Sequence, residues 1–101
     1  MERIIKIKLK EGMHARPCSL ICDLARHIGG QFRIRTRDLD VNACNVLEML
    51  MLARPYGSDI TVSISGVDDT VALKAIDAIE AMLGDRELTD ESLFKFRSAL
   101  Q

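Results

Sequence analysis

The chain has 101 residues, of which 48% are apolar and 29% charged, and its formal net charge is −1. This length fits one domain that buries roughly 65% of its unfolded surface, enough for one modest core. A near-neutral charge provides no global field toward nucleic acid or membrane, and no apolar run nears the ~18 residues of a membrane span.

The chain begins Met1-Glu2-Arg3 and enters a strand pattern at once, without a secretory leader, so the cytoplasm is the expected location. From about Arg3 to Lys10, Ile5, Ile7 and Leu9 alternate with Lys6, Lys8 and Lys10, which predicts a strand with one apolar face. The stretch Gly12-Met13-His14-Ala15-Arg16-Pro17 follows, and apolar residues then recur at helical spacing to Ile28. Gly12 permits a sharp turn, and Pro17 suits a first helical turn, where no N–H partner is lost. His14 therefore falls at the mouth of a helix N-terminus, a natural anion site.

The chemistry follows from that placement. The positive end of the helix dipole disfavours an imidazolium and leaves His14 a nucleophilic nitrogen. The same dipole and free N–H groups would hold a phosphoryl group attached to that ring, with Arg16 adding a charge-assisted hydrogen bond. His14 and Arg16 are thus the candidate catalytic pair. Arg16, Pro17 and Cys18 at the helix start are the candidate phosphate-binding positions.

The first helix, about Arg16 to Ile28, carries Cys18, Ile21, Cys22, Leu24, Ala25 and Ile28 on one stripe and ends at Gly29-Gly30. His27 in its last turn suits the negative end of the dipole. The three cysteines are an odd number with no Cys-x-x-Cys pair, so they read as reduced thiols. His14, Cys18 and Cys22 share a spacing of four, but a fourth ligand is missing, and both cysteines sit on the apolar stripe. No metal and no cofactor are expected.

A second strand covers about Gln31 to Arg37, a turn Asp38-Leu39-Asp40, and a third strand Val41 to Ala43, together an antiparallel hairpin. Asn45 caps a short helix, about Val46 to Ala53, with Glu48 completing a capping-box-like pattern. A helix this short and apolar cannot bury every side, which predicts a partly exposed docking patch. Arg54-Pro55-Tyr56-Gly57 reads as a loop. The last strand, Asp59 to Ser65, alternates Ile60, Val62 and Ile64 with polar residues, and a third helix follows from about Thr70 to Leu83. After a linker at Gly84-Asp85-Arg86-Glu87, Thr89 caps a fourth helix with Leu93, Phe96 and Leu100 on one stripe and Phe94 beside it. Because every strand alternates, one sheet face is wet and the helices share the other, an open-faced α+β sandwich.

The stretch Gly12-Met13-His14-Ala15-Arg16-Pro17, between a strand and a helix, resembles the active-site signature of HPr, the histidine-containing phosphocarrier of the bacterial phosphoenolpyruvate phosphotransferase system. The resemblance covers Met1 to about Leu83. It implies an HPr-like domain at residues 1–84, with a βαββαβα order and a four-stranded antiparallel sheet with three helices on one face. The 85–101 extension lies beyond the usual family end and is expected to dock on its own domain in a monomer. The resemblance also implies the function: His14 accepts a phosphoryl group from phospho-enzyme I and passes it to an enzyme IIA or equivalent acceptor. This is a carrier with a phosphohistidine intermediate rather than a turnover enzyme. Val46, Leu47 and Leu50, with Ser19 and Asp23 on the first helix, match the partner-contact positions.

Two departures from the family pattern bear on function. Asn45 stands where many HPr proteins carry a regulatory serine, so it keeps the cap but offers no hydroxyl to a kinase. Glu11 places a carboxylate beside the histidine, where it would repel a phosphoryl group unless it faces solvent or pairs with Lys10. The alternative functional reading is a regulatory, nitrogen-type module that acts through phosphorylation-dependent protein binding. A nucleic-acid role would need Lys6, Lys8, Arg33 and Arg35 as a basic patch on the wet sheet face. No aromatic residues alternate with them to stack on bases, so no nucleic-acid partner is expected.

Overall fold

The computed structural model describes residues 1–99; Leu100, placed by its spacing on the last helical stripe, lies outside the described residues. The elements are β1 (Glu2–Lys6), α1 (Ala15–Ile28), β2 (Gln31–Arg35), β3 (Asp40–Asn42), α2 (Val46–Leu50), β4 (Asp59–Ser65), α3 (Asp69–Gly84) and α4 (Asp90–Ser98). The strands form one four-stranded sheet in the order β1-β4-β2-β3, antiparallel at every pairing.

Register follows from the alternation, since a slip by one residue would turn every apolar side chain to water. Ile5 lies opposite Ile60, Ile34 opposite Val62 and Phe32 opposite Ile64, and all six are buried. Ile21, Leu24 and Ala25 of α1 and Ala72, Ile76, Ile79 and Leu83 of α3 join the same core. The other sheet face is open, and its cations are paired: Arg33 with Asp40 at 3.0 Å, Arg35 with Glu2 at 2.6 Å and Lys6 with Asp59 at 3.2 Å. Of the four cations that could have formed a basic patch, Lys6, Arg33 and Arg35 are thus in ion pairs, and Lys8 is exposed beyond the end of β1.

Three boundaries differ from the sequence reading by more than one residue, each for a local reason. β1 ends at Lys6 although Ile7 and Leu9 remain buried, because the backbone leaves β4 there. The N–H groups of Lys8 and Lys10 donate instead to the carbonyls of Leu83 and Arg86, at 2.7 and 2.8 Å. β2 stops at Arg35 because Thr36 closes the turn, its N–H donating to the Leu39 carbonyl at 2.8 Å. α2 ends at Leu50 and the chain reverses at Ala53, which holds a positive φ of 22°.

The Asn45 side chain caps α2, accepting from the N–H groups of Leu47 and Glu48 at 3.0 and 3.2 Å. Glu48 does not return to the cap; its carboxylate accepts from the N–H of Asn42 at 3.0 Å, tying α2 to β3. Thr89 and Ser92 form a reciprocal capping box that starts α4. α4 packs on α3, with Phe96 2% exposed in the main core and Phe94 74% exposed on the outer side.

The fold sets two stability expectations. Phe96→Ala opens a cavity in the shared core and costs ~3–5 kcal/mol, while Phe94→Ala stays within ~0.5 kcal/mol of the parent. Asn45→Ala removes a cap and costs ~1 kcal/mol. Thermal unfolding followed by circular dichroism reads all three, at ~4–8 °C per kcal/mol for a domain of this size.

Candidate functional site

The site begins where the backbone turns from β1 toward α1. Gly12 holds a φ of 72°, and its N–H donates to the Leu9 carbonyl at 2.9 Å. A side chain could not stand there: a Cβ would collide with the Arg54 carbonyl oxygen and lie 2.9 Å from the Pro55 Cα. The next residue, Met13, is buried and donates its N–H to the same Arg54 carbonyl at 2.6 Å. Arg54 is itself clamped, its guanidinium donating to Asp38 at 2.8 Å and Thr36 at 3.1 Å. Sequence reading missed Arg54, which sits in a loop without periodicity.

His14 follows as the N-cap of α1, extended at φ −120° and ψ −172°, with no side-chain cap hydrogen bond. The helical ladder opens with the Cys18 N–H donating to the His14 carbonyl at 3.2 Å. Pro17 has no N–H, so the N–H groups of Ala15 and Arg16 are the ones left outside the ladder. No acidic side chain occupies the first turn. The imidazole, 37% exposed, borders a cleft of about 280 Å³ lined by Leu9, Glu11, His14, Arg16, Arg86 and Leu88, among others. Among the described residues, the Arg16 guanidinium makes no hydrogen bond or ion pair within the protein.

Glu11 is exposed to solvent and does not pair with Lys10. Its carboxylate lies 3.9 Å from Nε2 of His14, while the Lys10 ammonium binds Glu87 at 2.9 Å. That ammonium holds the Glu87 carboxyl below the usual carboxylate range.

Cys18 departs from its expected phosphate-binding role. Its N–H is used by the helical ladder, and its thiol is buried and donates to the Met49 carbonyl at 3.2 Å. Burial pushes that thiol up to about 11. Pro17 is also buried and contributes to the site only by shaping the helix start. Cys22 is likewise inward, its thiol 3.4 Å from the Cys44 carbonyl, and burial raises it too. With Arg26 donating to the same carbonyl at 2.9 Å, these bonds hold α1 and α2 side by side. Among the described residues no group of His, Cys, Asp or Glu is arranged to hold a metal ion, and no helix is long and apolar enough to cross a membrane.

The two helices present a joint surface. Leu47, Leu50 and Met51 are 73%, 44% and 60% exposed, Val46 is half-buried, and Ser19 and Asp23 are exposed on α1. Met49 and Leu52 face the core, so the short helix divides its apolar residues between two sides.

An open-faced sandwich of this connectivity, with an uncapped histidine starting its first helix, defines a class of small phosphocarriers. A family model described as the PTS HPr component phosphorylation site matches residues 1–83, and the chain belongs to the HPr family. The phosphocarrier protein NPr of Proteus mirabilis is 36% identical over 78 residues, which is 76% of this chain and 87% of that one. The HPr-like protein Crh of Halalkalibacterium halodurans is 32% identical, over 75% and 90% of the two chains. The crystal structure of HPr-C-His from Thermoanaerobacter tengcongensis superposes with a TM-score of 0.72 at 32% identity, covering 85% of this chain and 98% of that one.

Two outcomes follow from this geometry. Gly12→Ala combines a left-handed φ with a backbone collision, so it lowers stability by more than ~1–2 kcal/mol and displaces Met13 from Arg54. Amide hydrogen exchange at Met13 would accelerate with it. Cys18 holds its proton more tightly folded than at its ordinary value of 9.0, so its contribution to stability is intact below pH 9 and is lost as pH rises through about 11. A Cys18→Val chain should show a shallower loss of stability across that window in denaturant titrations.

Proposed function

We propose that His14 is the phosphoacceptor, taking its phosphoryl group from phospho-enzyme I and delivering it to an enzyme IIA or equivalent acceptor. The observation that supports this most directly is the convergence of His14, the Arg16 guanidinium and the N–H groups of Ala15 and Arg16 at the start of α1. Family membership supports a phosphocarrier role in general.

The Glu11 carboxylate lies 3.9 Å from Nε2, so Nδ1 is the ring nitrogen without a carboxylate recorded beside it, and we assign it as the nucleophile. In the transfer, the Nδ1 lone pair forms the new N–P bond as the donor's bond to phosphorus breaks, and that electron pair stays with the donor. The chain supplies position and charge: the helix N-terminus and Arg16 receive the phosphoryl oxygens. Partner enzymes dock on the α1–α2 surface, with Leu47 and Leu50 as apolar anchors, Val46 between them, and Ser19 and Asp23 on the polar side. Asn45 supplies the cap of α2 but no hydroxyl, so regulation by phosphorylation at that position is absent.

Incubation with enzyme I and phosphoenolpyruvate, read by intact mass, should add one acid-labile phosphate, and His14→Ala should take none. Arg16→Ala should slow transfer about tenfold to a hundredfold, the effect of one charge-assisted hydrogen bond. Leu47→Asp should raise the KM for this chain as substrate of enzyme I and leave the thermal midpoint within a few degrees. Phosphorylation without onward transfer to any enzyme IIA would leave a regulatory module as the reading. Absence of phosphorylation by the host's own enzyme I would overturn the proposal.

A further inference from the structure

The cleft in front of His14 has a second wall that the family match does not include. The match ends at residue 83, yet the segment joining α3 to α4 returns across the active-site entrance. Its path is held on several sides. The Lys10 N–H donates to the Arg86 carbonyl at 2.8 Å, the Lys10 ammonium binds Glu87 at 2.9 Å, and Leu88 packs against the core. Beyond it, the Thr89–Ser92 capping box and buried Phe96 fasten α4 to the domain. The segment is therefore a fixed wall rather than a loose tail.

Arg86 on that wall lines the cleft together with His14, Arg16 and Glu11, and it also borders two neighbouring depressions. Arg86 is exposed, and among the described residues its guanidinium makes no hydrogen bond or ion pair. Five other arginines, Arg3, Arg26, Arg33, Arg35 and Arg54, are all engaged with carboxylates or carbonyls. The charges in the cleft show why another cation matters. Lys10 and Glu87 neutralise each other. Glu11 stands 3.9 Å from the ring that receives the phosphoryl group. A phosphoryl dianion there would face that carboxylate with Arg16 as its only counter-charge from the motif itself. Arg86 is the remaining cation on the cleft wall, and its planar fork suits phosphoryl oxygens.

We propose that Arg86, supplied by the segment between α3 and α4, is a second phosphoryl-positioning guanidinium of the His14 cleft, offsetting Glu11. This inference rests on the reading of His14 as phosphoacceptor. It assigns the C-terminal extension a role: α4 is the anchor that keeps Arg86 in place.

The test compares the full chain with Arg86→Ala, Arg86→Lys and Arg97→Ala, the last removing an exposed cation from α4 outside the cleft. Each is phosphorylated with enzyme I and phosphoenolpyruvate, and the initial rate and the 31P resonance of the phosphohistidine are recorded. Loss of one charge-assisted contact predicts a rate about tenfold lower for Arg86→Ala, partial recovery in Arg86→Lys, and an altered 31P shift in Arg86→Ala alone. Arg97→Ala should match the parent. Equal rates and shifts for Arg86→Ala and Arg97→Ala would overturn the inference while leaving His14 as phosphoacceptor. A slower rate with an unmoved 31P resonance would also overturn it, by assigning Arg86 to enzyme docking. If the parent chain took no phosphate, the reading of His14 and this inference would fall together.

Discussion

The hydrogen bond from the Met13 N–H to the Arg54 carbonyl, 2.6 Å long, is the constraint on which the site depends. It joins the residue before His14 to Arg54 in a distant loop of the chain, and it works only because Gly12 lets the two backbones touch. Arg54 is in turn gripped by Thr36 and Asp38 from the β2–β3 turn. A histidine at a helix start would otherwise sit on a flexible connection. Here three separate parts of the chain fix the backbone that leads into it, and α1 begins with its first N–H groups open beside it. Ala53, the residue before Arg54, holds a positive φ of 22°. Strain in such a position, about 1–3 kcal/mol, persists when the surroundings over-determine it.

Charge is distributed unevenly over the molecule. On the open sheet face each cation of β1 and β2 has a carboxylate within 3.2 Å, and such exposed pairs contribute ~0–1 kcal/mol apiece. That face is electrically quiet. At the cleft, by contrast, Arg16 is unpaired among the described residues and Glu11 approaches the imidazole without reaching hydrogen-bond distance. An unpaired guanidinium at the helix start gives an incoming anion a place to bind.

The apolar residues are divided between core and surface in a similar way. α2 is a single cap and little more than one turn, held by Asn45, by Glu48 reaching β3, and by the thiol and guanidinium contacts from α1. Met49 and Leu52 belong to the core, which leaves Leu47, Leu50 and Met51 toward solvent next to His14's helix. α4 follows the same division, with Phe96 completing the core beneath α3 and Phe94 outside.

Much of this was legible from the residues in order. Alternation in β1, β2 and β4 set the covered face and therefore the layer arrangement, because a strand side chain has only two sides to choose from. Gly12, His14 and Pro17 marked a strand-to-helix junction by backbone chemistry alone, and Asn45 and Thr89 marked their helices as caps. Other features depended on contacts between distant parts of the chain. The role of Arg54, the choice of the Met49 carbonyl as partner of the Cys18 thiol, and the pairing of Lys10 with Glu87 rather than Glu11 carry no local signal. Nor does the return of Arg86 to the cleft. Local patterns dictate which residues form a strand, a turn or a cap. Which carbonyl accepts from Met13, and which cation stands before His14, is decided only when the sheet has brought the ends of the chain together.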